Sequence, residues 1–225
     1  MIRYFWPCII FIFIVSACTS KKEILYLQDI DNYPGSEVIN NNDYLQPNDI
    51  IKIDVSSLIN EAALPFNKPT SYGGQSAKNL EVMKLEGYLV SQNKTIQFPV
   101  LGEISVSEKS TGDLELVLKN MLEKGGYLIN PTVSVRLLNA KFTILGEVNT
   151  PGTFTYTEKN ISLLQALGLA GGLTINGDRK DVILIRQTDA KRNTTHINLT
   201  ESSWLKGPYQ NIQPNDVILV NPNAS

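Results

Sequence analysis

The sequence is short of cysteine and histidine. Its 225 residues hold two cysteines, Cys8 and Cys18, and one histidine, His196. Both cysteines fall within the first eighteen positions, so the chain beyond Cys18 can build neither a disulfide framework nor a thiolate metal cluster. One histidine cannot make a His-rich metal site. No metal or other cofactor is expected. An excess of charge is lacking too. The formal net charge is −2, and it becomes −3 if Arg3 leaves with the leading segment. A nucleic-acid binder needs a basic stripe, and neither balance provides one. There is no block of like charges and no long low-complexity tract. What remains is ordinary globular composition, 42% hydrophobic and 19% charged, sufficient for packed cores in one or two domains.

The first eighteen residues bear on the compartment. Arg3 gives a short positive start, and an uncharged, mostly apolar run follows from Phe5 to Ala17. A membrane-spanning helix needs roughly 20 apolar residues, so this run is too short. It has the proportions of a signal-peptide h-region. It ends in Val15-Ser16-Ala17-Cys18, which resembles the bacterial lipobox. There the cysteine thiol is alkylated by diacylglycerol and becomes the mature N-terminus. Small residues ahead of the thiol let an extended backbone enter a peptidase. On this resemblance residues 1–17 are a signal peptide, Cys18 is the lipid attachment site, and Cys8 is removed. Acyl chains contribute about 0.8 kcal/mol per buried CH₂, so two or more anchor stably. Thr19 follows the cysteine where an Asp would retain a lipoprotein in the inner membrane, so the outer membrane is favoured. The alternative is a plain secretory signal with an incidental cysteine.

Residues 18–43 read as a polar tether with one short strand at Ile24–Leu27. From Tyr44, the turn Gln46-Pro47-Asn48-Asp49 feeds a β-rich run, Ile50, Ile51, Ile53 and Val55. Residues 58–86, broken by Pro65, Pro69, Gly73 and Gly74, read as a long irregular loop or insertion. Tyr88–Val90 and Ile96–Val100 predict a strand pair around a turn at Ser91–Lys94. The spacing of Leu114, Val117, Leu118, Met121 and Leu122 predicts a helix over 112–124 with one apolar stripe, which is a core face. Ser110 with Asp113 forms a capping box, and Gly125-Gly126 supplies the left-handed stop. Thr132–Leu137 alternates as a half-buried strand.

A second unit starts near Phe142. Strands are predicted at Phe142–Leu145, Val182–Arg186, His196–Leu199 and Val217–Val220, and a helix at Ile161–Leu169 ends at Gly171-Gly172. Pro151-Gly152 predicts a turn in which proline presets φ and glycine accepts φ > 0. Gln46-Pro47-Asn48-Asp49-Ile50-Ile51 is echoed by Gln213-Pro214-Asn215-Asp216-Val217-Ile218, a turn feeding a β-branched strand both times. One echo is not a solenoid period.

Taken in order, these segments resemble the Wza-type outer-membrane polysaccharide export family. The resemblance rests on Leu45–Val55, the run Phe98-Pro99-Val100-Leu101-Gly102-Glu103-Ile104, the 112–124 helix and Asn130-Pro131-Thr132-Val133-Ser134-Val135. In the second unit it rests on Gly146-Glu147-Val148, Pro151-Gly152, Leu163–Leu167 and Ala170-Gly171-Gly172, which are similar to the family's soluble-ligand-binding β-grasp domain. It covers about residues 44–221. It implies an α+β protein: a polysaccharide export domain over 44–138 with a mixed sheet and one helix, then a β-grasp-like domain over 139–225. It implies a lipid-anchored outer-membrane component of a capsular or exopolysaccharide export complex, with its domains facing the periplasm. Copies would form a homo-oligomeric ring around the polymer, supplied by an inner-membrane co-polymerase or chain-length regulator. Long members carry further β-grasp units and a terminal membrane-crossing helix. Neither is found up to Ser225, so such a segment lies beyond Ser225 or the channel is made elsewhere.

Little in the chain looks catalytic. His196 as a general base would need an orienting carboxylate and a nucleophile, and no G-x-S-x-G elbow is present. Glu147 lacks a recognisable carboxylate partner and reads as a turn or interface residue. Gly171-Gly172 lacks the lysine and spacing of a phosphate loop and reads as a helix cap. Trp204 and Tyr209 flank the loop-like Lys206-Gly207-Pro208 and are the candidates for glycan or subunit contact. Gly146, Pro151, Gly152, Gly171 and Gly172 are the motif turns. Two rival functions stand: a periplasmic lipoprotein module that binds a soluble glycan without forming a conduit, and a glycan hydrolase using His196 or Glu147.

Overall fold

The computed structural model describes residues 24–35, 44–68, 80–188 and 191–223. Two hydrophobic cores divide these residues. The first gathers side chains between Leu45 and Val135 and the second side chains between Ala140 and Val220. The fold is α+β, with a first and a second unit built around these cores.

In the first unit, strand β1 (Ile50–Ser56) lies between β2 (Tyr88–Leu89) and β5 (Thr132–Leu137), antiparallel to both. β1 alternates because Ile51, Ile53 and Val55 point to the core while Asp54 and Ser56 point out. β3 (Thr95–Phe98) and β4 (Gly102–Ser105) form a separate hairpin. Helix α3 (Thr111–Lys124) covers this core with Leu114, Leu118 and Leu122, all fully enclosed. It starts at the expected capping box: Ser110 Oγ accepts from the Asp113 amide at 3.1 Å, and the Asp113 carboxylate accepts from the Ser110 amide at 2.9 Å. Its left-handed stop is Gly126, with φ +71, while Gly125 stays helical.

The stretch read as irregular contains short helices, α1 (Asn60–Ala63), a 3₁₀ turn at Leu64–Phe66, and α2 (Leu80–Glu86). Each is too short for an apolar period to be read from sequence. Residues 69–79 lie outside the described residues.

In the second unit a five-stranded sheet runs in the order β10, β9, β12, β6, β7. The strands are β6 (Lys141–Gly146), β7 (Gly152–Thr155), β9 (Gly177–Thr188), β10 (Lys191–Ile197) and β12 (Val217–Pro222). β12 runs parallel to β6, and the other pairs in this sheet are antiparallel. Helix α4 (Leu163–Leu169) begins two residues later than expected, because Ile161-Ser162 form the short strand β8, paired with β11 (Asn211–Ile212). α4 also carries a capping box, Ser162 with Gln165.

Ile24–Leu27 does not form the predicted strand. Leu27 has φ +48, which breaks the extended path, and a 3₁₀ turn follows at Ile30–Asn32. This segment lies on the second unit instead. The Leu27 and Gln28 amides donate to the carbonyls of Leu199 and Thr200 at 3.0 and 2.8 Å. The Asp29 carboxylate accepts from the Ser202 amide and hydroxyl at 2.7 and 2.9 Å.

Candidate functional site

The motif turns of the second unit meet at one place. Gly146 ends β6 with φ +91, and a Cβ there would sit 2.0 Å from the Val220 carbonyl oxygen. Only glycine lets β6 approach β12 this closely while turning. The chain then folds onto the end of α4. The Asn149 amide donates to Gly172 O at 3.1 Å, its side-chain amide to Gly171 O at 2.7 Å, and the Thr150 amide to Ala170 O at 2.9 Å. Gly171 and Gly172 have φ +75 and +78 and aim these carbonyls at the loop. Glu147 is a structural acceptor here, taking the Thr174 hydroxyl at 2.6 Å. Gly152 does not take the positive φ expected of a Pro-Gly turn; it starts β7. The reversal is spread over residues 147–151 and held by the helix end, so Gly146 bears the left-handed conformation.

The two Gln-Pro-Asn-Asp turns are built alike. Asn48 and Asn215 have φ +71 and +68, and Asp49 and Asp216 each accept from the amide of the preceding glutamine at 2.8 Å. Between them runs the linker joining the units. The Asn139 side chain accepts from the Ile50 amide and donates to Asn48 O, both at 2.9 Å. The Leu138 amide donates to Ile50 O at 2.8 Å, and the Asn215 amide donates to Lys141 O at 2.6 Å. The linker is thus pinned by one turn on each side.

The two aspartates differ in their partners. Asp216 is fully buried and paired in a fork with Arg186, Nε to Oδ1 at 3.0 Å and Nη2 to Oδ2 at 2.8 Å. Arg186 also donates to Asn211 O at 2.9 Å and lies over the Tyr209 ring. Burial nevertheless raises the Asp216 carboxyl above its ordinary range, with the Arg186 hydrogen bonds and charge opposing it. Asp49 is also buried but lacks such a fork, and burial pushes it up to about 6 against the Gln46 amide bond.

Asp49 lines a cleft of about 610 Å³ between the two units. The first unit contributes Tyr44, Glu115 and Arg136, and the second contributes Tyr156 and Lys159. Glu115 accepts from the Val135 amide on the outer edge of β5 at 2.9 Å and faces Lys159 across the cleft at 3.9 Å. The cleft joins aromatic surface, charges of both signs and an open strand edge, a lining able to hold a polar chain by hydrogen bonds and ring contacts.

Cys18 lies outside the described residues. Trp204 and Tyr209 are both half-buried against the second core, and the Trp204 indole nitrogen is enclosed without a hydrogen-bond partner. Tyr209 lies against Arg186 of the Arg186–Asp216 pair, and neither residue is in the cleft lining. His196 sits exposed on β10 with Asp181 at 2.5 Å from Nδ1. The cleft residues Glu115, Arg136 and Lys159 are not singled out by sequence. The turn echo marked Asp49, but nothing marked its burial or its neighbours across the linker.

This arrangement, an export-type unit followed by a β-grasp-type unit, is matched by family models in the same order. Residues 38–138 match the model for polysaccharide biosynthesis/export proteins, and residues 140–220 match the SLBB domain. The two matches together support the resemblance of this chain to the Wza-type polysaccharide export proteins. Among its relatives is the EPS I polysaccharide export outer membrane protein EpsA of Ralstonia nicotianae, 32% identical over 106 residues. The EpsA of Ralstonia solanacearum is 30% identical over 104 residues. These matches cover 45% and 44% of this chain and 27% of each relative. Among the described residues no helix is long and apolar enough to cross a membrane.

Proposed function

We propose that this chain is the outer-membrane lipoprotein of a capsular or exopolysaccharide export complex. In this reading Cys18 carries the lipid and the two units face the periplasm. Copies close head to tail into a ring around the polymer path, and an inner-membrane co-polymerase supplies the polymer. Passage through a hydrated conduit needs no bond-making step, so no catalytic residue is assigned. The observation that carries the reading is the ordered pair of family matches, export unit then SLBB unit, on a chain whose leader ends in a lipobox-like cysteine.

The test is genetic and biochemical. Deleting the gene should strip surface polysaccharide, and the intact gene should restore it. Cys18→Ala should restore little. The protein extracted in mild detergent should run as a closed oligomer. Unchanged surface polysaccharide on deletion, with no related gene compensating, would sink the reading.

The cleft favours a second reading, a periplasmic lipoprotein module that captures a soluble glycan without forming a conduit. Its mixed polar and aromatic lining supports that reading. Calorimetric titration of the oligosaccharide repeat into monomeric protein separates the two: tight binding by a monomer, without an oligomer in detergent, favours the module.

A further inference from the structure

We infer that the second unit carries a lipid-facing surface, formed where the segment Ile24–Tyr33 straps across it. The inference rests on the proposed acylation of Cys18.

Distance sets the argument. Tyr26, the first residue held to the second unit, lies eight positions after Cys18, and eight residues fully extended reach at most about 29 Å. From Leu27 onward the chain is fixed to the second unit by backbone bonds to Leu199 and Thr200 and by the Asp29–Ser202 pair. Tyr26 is held as well. Its hydroxyl accepts from the Leu173 amide at 3.4 Å, and its ring lies over the Arg179 guanidinium. An acyl group on Cys18 therefore brings this side of the second unit to the bilayer. It does not merely leave the protein on a long leash.

Surface chemistry points the same way. Leu25, Tyr26 and Ile30 on the strap are 49, 37 and 44% exposed. Ile175 is 65% exposed and follows Thr174, whose carbonyl accepts from Arg179 beneath Tyr26. Exposed large apolar side chains on and beside a short anchored strap suit the boundary between headgroups and acyl chains, where apolar faces sink several ångströms. Arg179 beneath the strap is buried and bonded to the carbonyls of Gly177 and Thr174 at 2.7 and 3.0 Å, so it anchors Tyr26 from inside.

The experiment uses full-length protein expressed in cells, extracted, and reconstituted into phosphatidylethanolamine–phosphatidylglycerol vesicles. An environment-sensitive fluorophore is attached at Ile175→Cys, at Leu25→Cys, or at Leu58→Cys. Leu58 is 88% exposed and belongs to the first unit. Nitroxides on the lipid acyl chains should quench the probes at 25 and 175 at least threefold more than the probe at 58. Mass spectrometry of the same sample reports the acyl groups. Acylated, vesicle-bound protein in which all three probes are quenched equally overturns the lipid-facing surface alone. Protein that carries no acyl group and does not float with vesicles overturns the anchor, and this surface with it.

Discussion

Gly146 shows how one residue can set a junction. A methyl group there would meet the Val220 carbonyl at 2.0 Å, at a φ of +91. Gly146→Ala is therefore expected to cost about 3 kcal/mol or more, through clash and left-handed strain together. Gly152→Ala is the control. It has open space around its Cβ position and no positive φ, so the expected change is within about 0.5 kcal/mol. Urea unfolding of the two variants checks the contrast. Asp49 gives the second prediction at this scale. Its carboxyl is raised to about 6 by burial, whereas an unfolded Asp titrates near 4. Between those values the folded state holds the proton and the unfolded state does not. The stabilisation is full below about pH 4 and lost as pH rises through about 6, on the order of 2–3 kcal/mol. Asp49→Asn cannot titrate and still accepts the Gln46 amide. Subtracting its urea stability from that of the wild type at pH 4.5 and 7.5 should show the wild type gaining on acidification. A difference that stays constant with pH would count against the buried, unpaired carboxylate.

Secondary-structure elements divide into those that sequence announces and those that tertiary contacts make. The Thr111–Lys124 helix was legible because its apolar residues repeat at helical spacing and its cap is a side-chain pair three residues apart. Ser110→Ala should cost about 1 kcal/mol in the first unit, and Ser162→Ala a similar amount in the second, since each removes an acceptor from a helix start. Thermal melts read by circular dichroism test both. The short helices at 60–63 and 80–86 were not legible, because a turn or two gives no period to count. The Pro151-Gly152 turn misled for a different reason. Local preference put the positive φ on the glycine after proline, but the close approach of β6 to β12 required it at Gly146. The Arg186–Asp216 fork spans thirty positions, and no local pattern joins its partners. The order of the two units was legible through motif sequence, while the cleft between them depended on which surfaces the linker brings together.

At the scale of the molecule, the linker is where the repeated turn acquires a purpose. Each Gln-Pro-Asn-Asp turn presents carbonyls and amides in a fixed frame, and Leu138–Lys141 is held between the two frames. Asn139 makes two of these bonds, both to the first turn and its strand. Asn139→Ala leaves the Ile50 amide without its acceptor and the Asn48 carbonyl without its donor. The expected loss is about 1–3 kcal/mol, confined to the first unit, because the Asn215–Lys141 bond on the other side is untouched. The cleft should also loosen, since the remaining cross-cleft ion pair, Lys159 with Glu115, is long and solvent-exposed on the lysine side and contributes little by itself. Calorimetry should therefore show the wild type melting in one transition and Asn139→Ala in two, the first unit earlier. Small-angle scattering below both transitions should show a larger radius of gyration in the variant. If the variant melts in one transition at an unchanged radius, the linker pins do not couple the units, and the Leu138–Ile50 and Asn215–Lys141 backbone bonds suffice to hold the cleft.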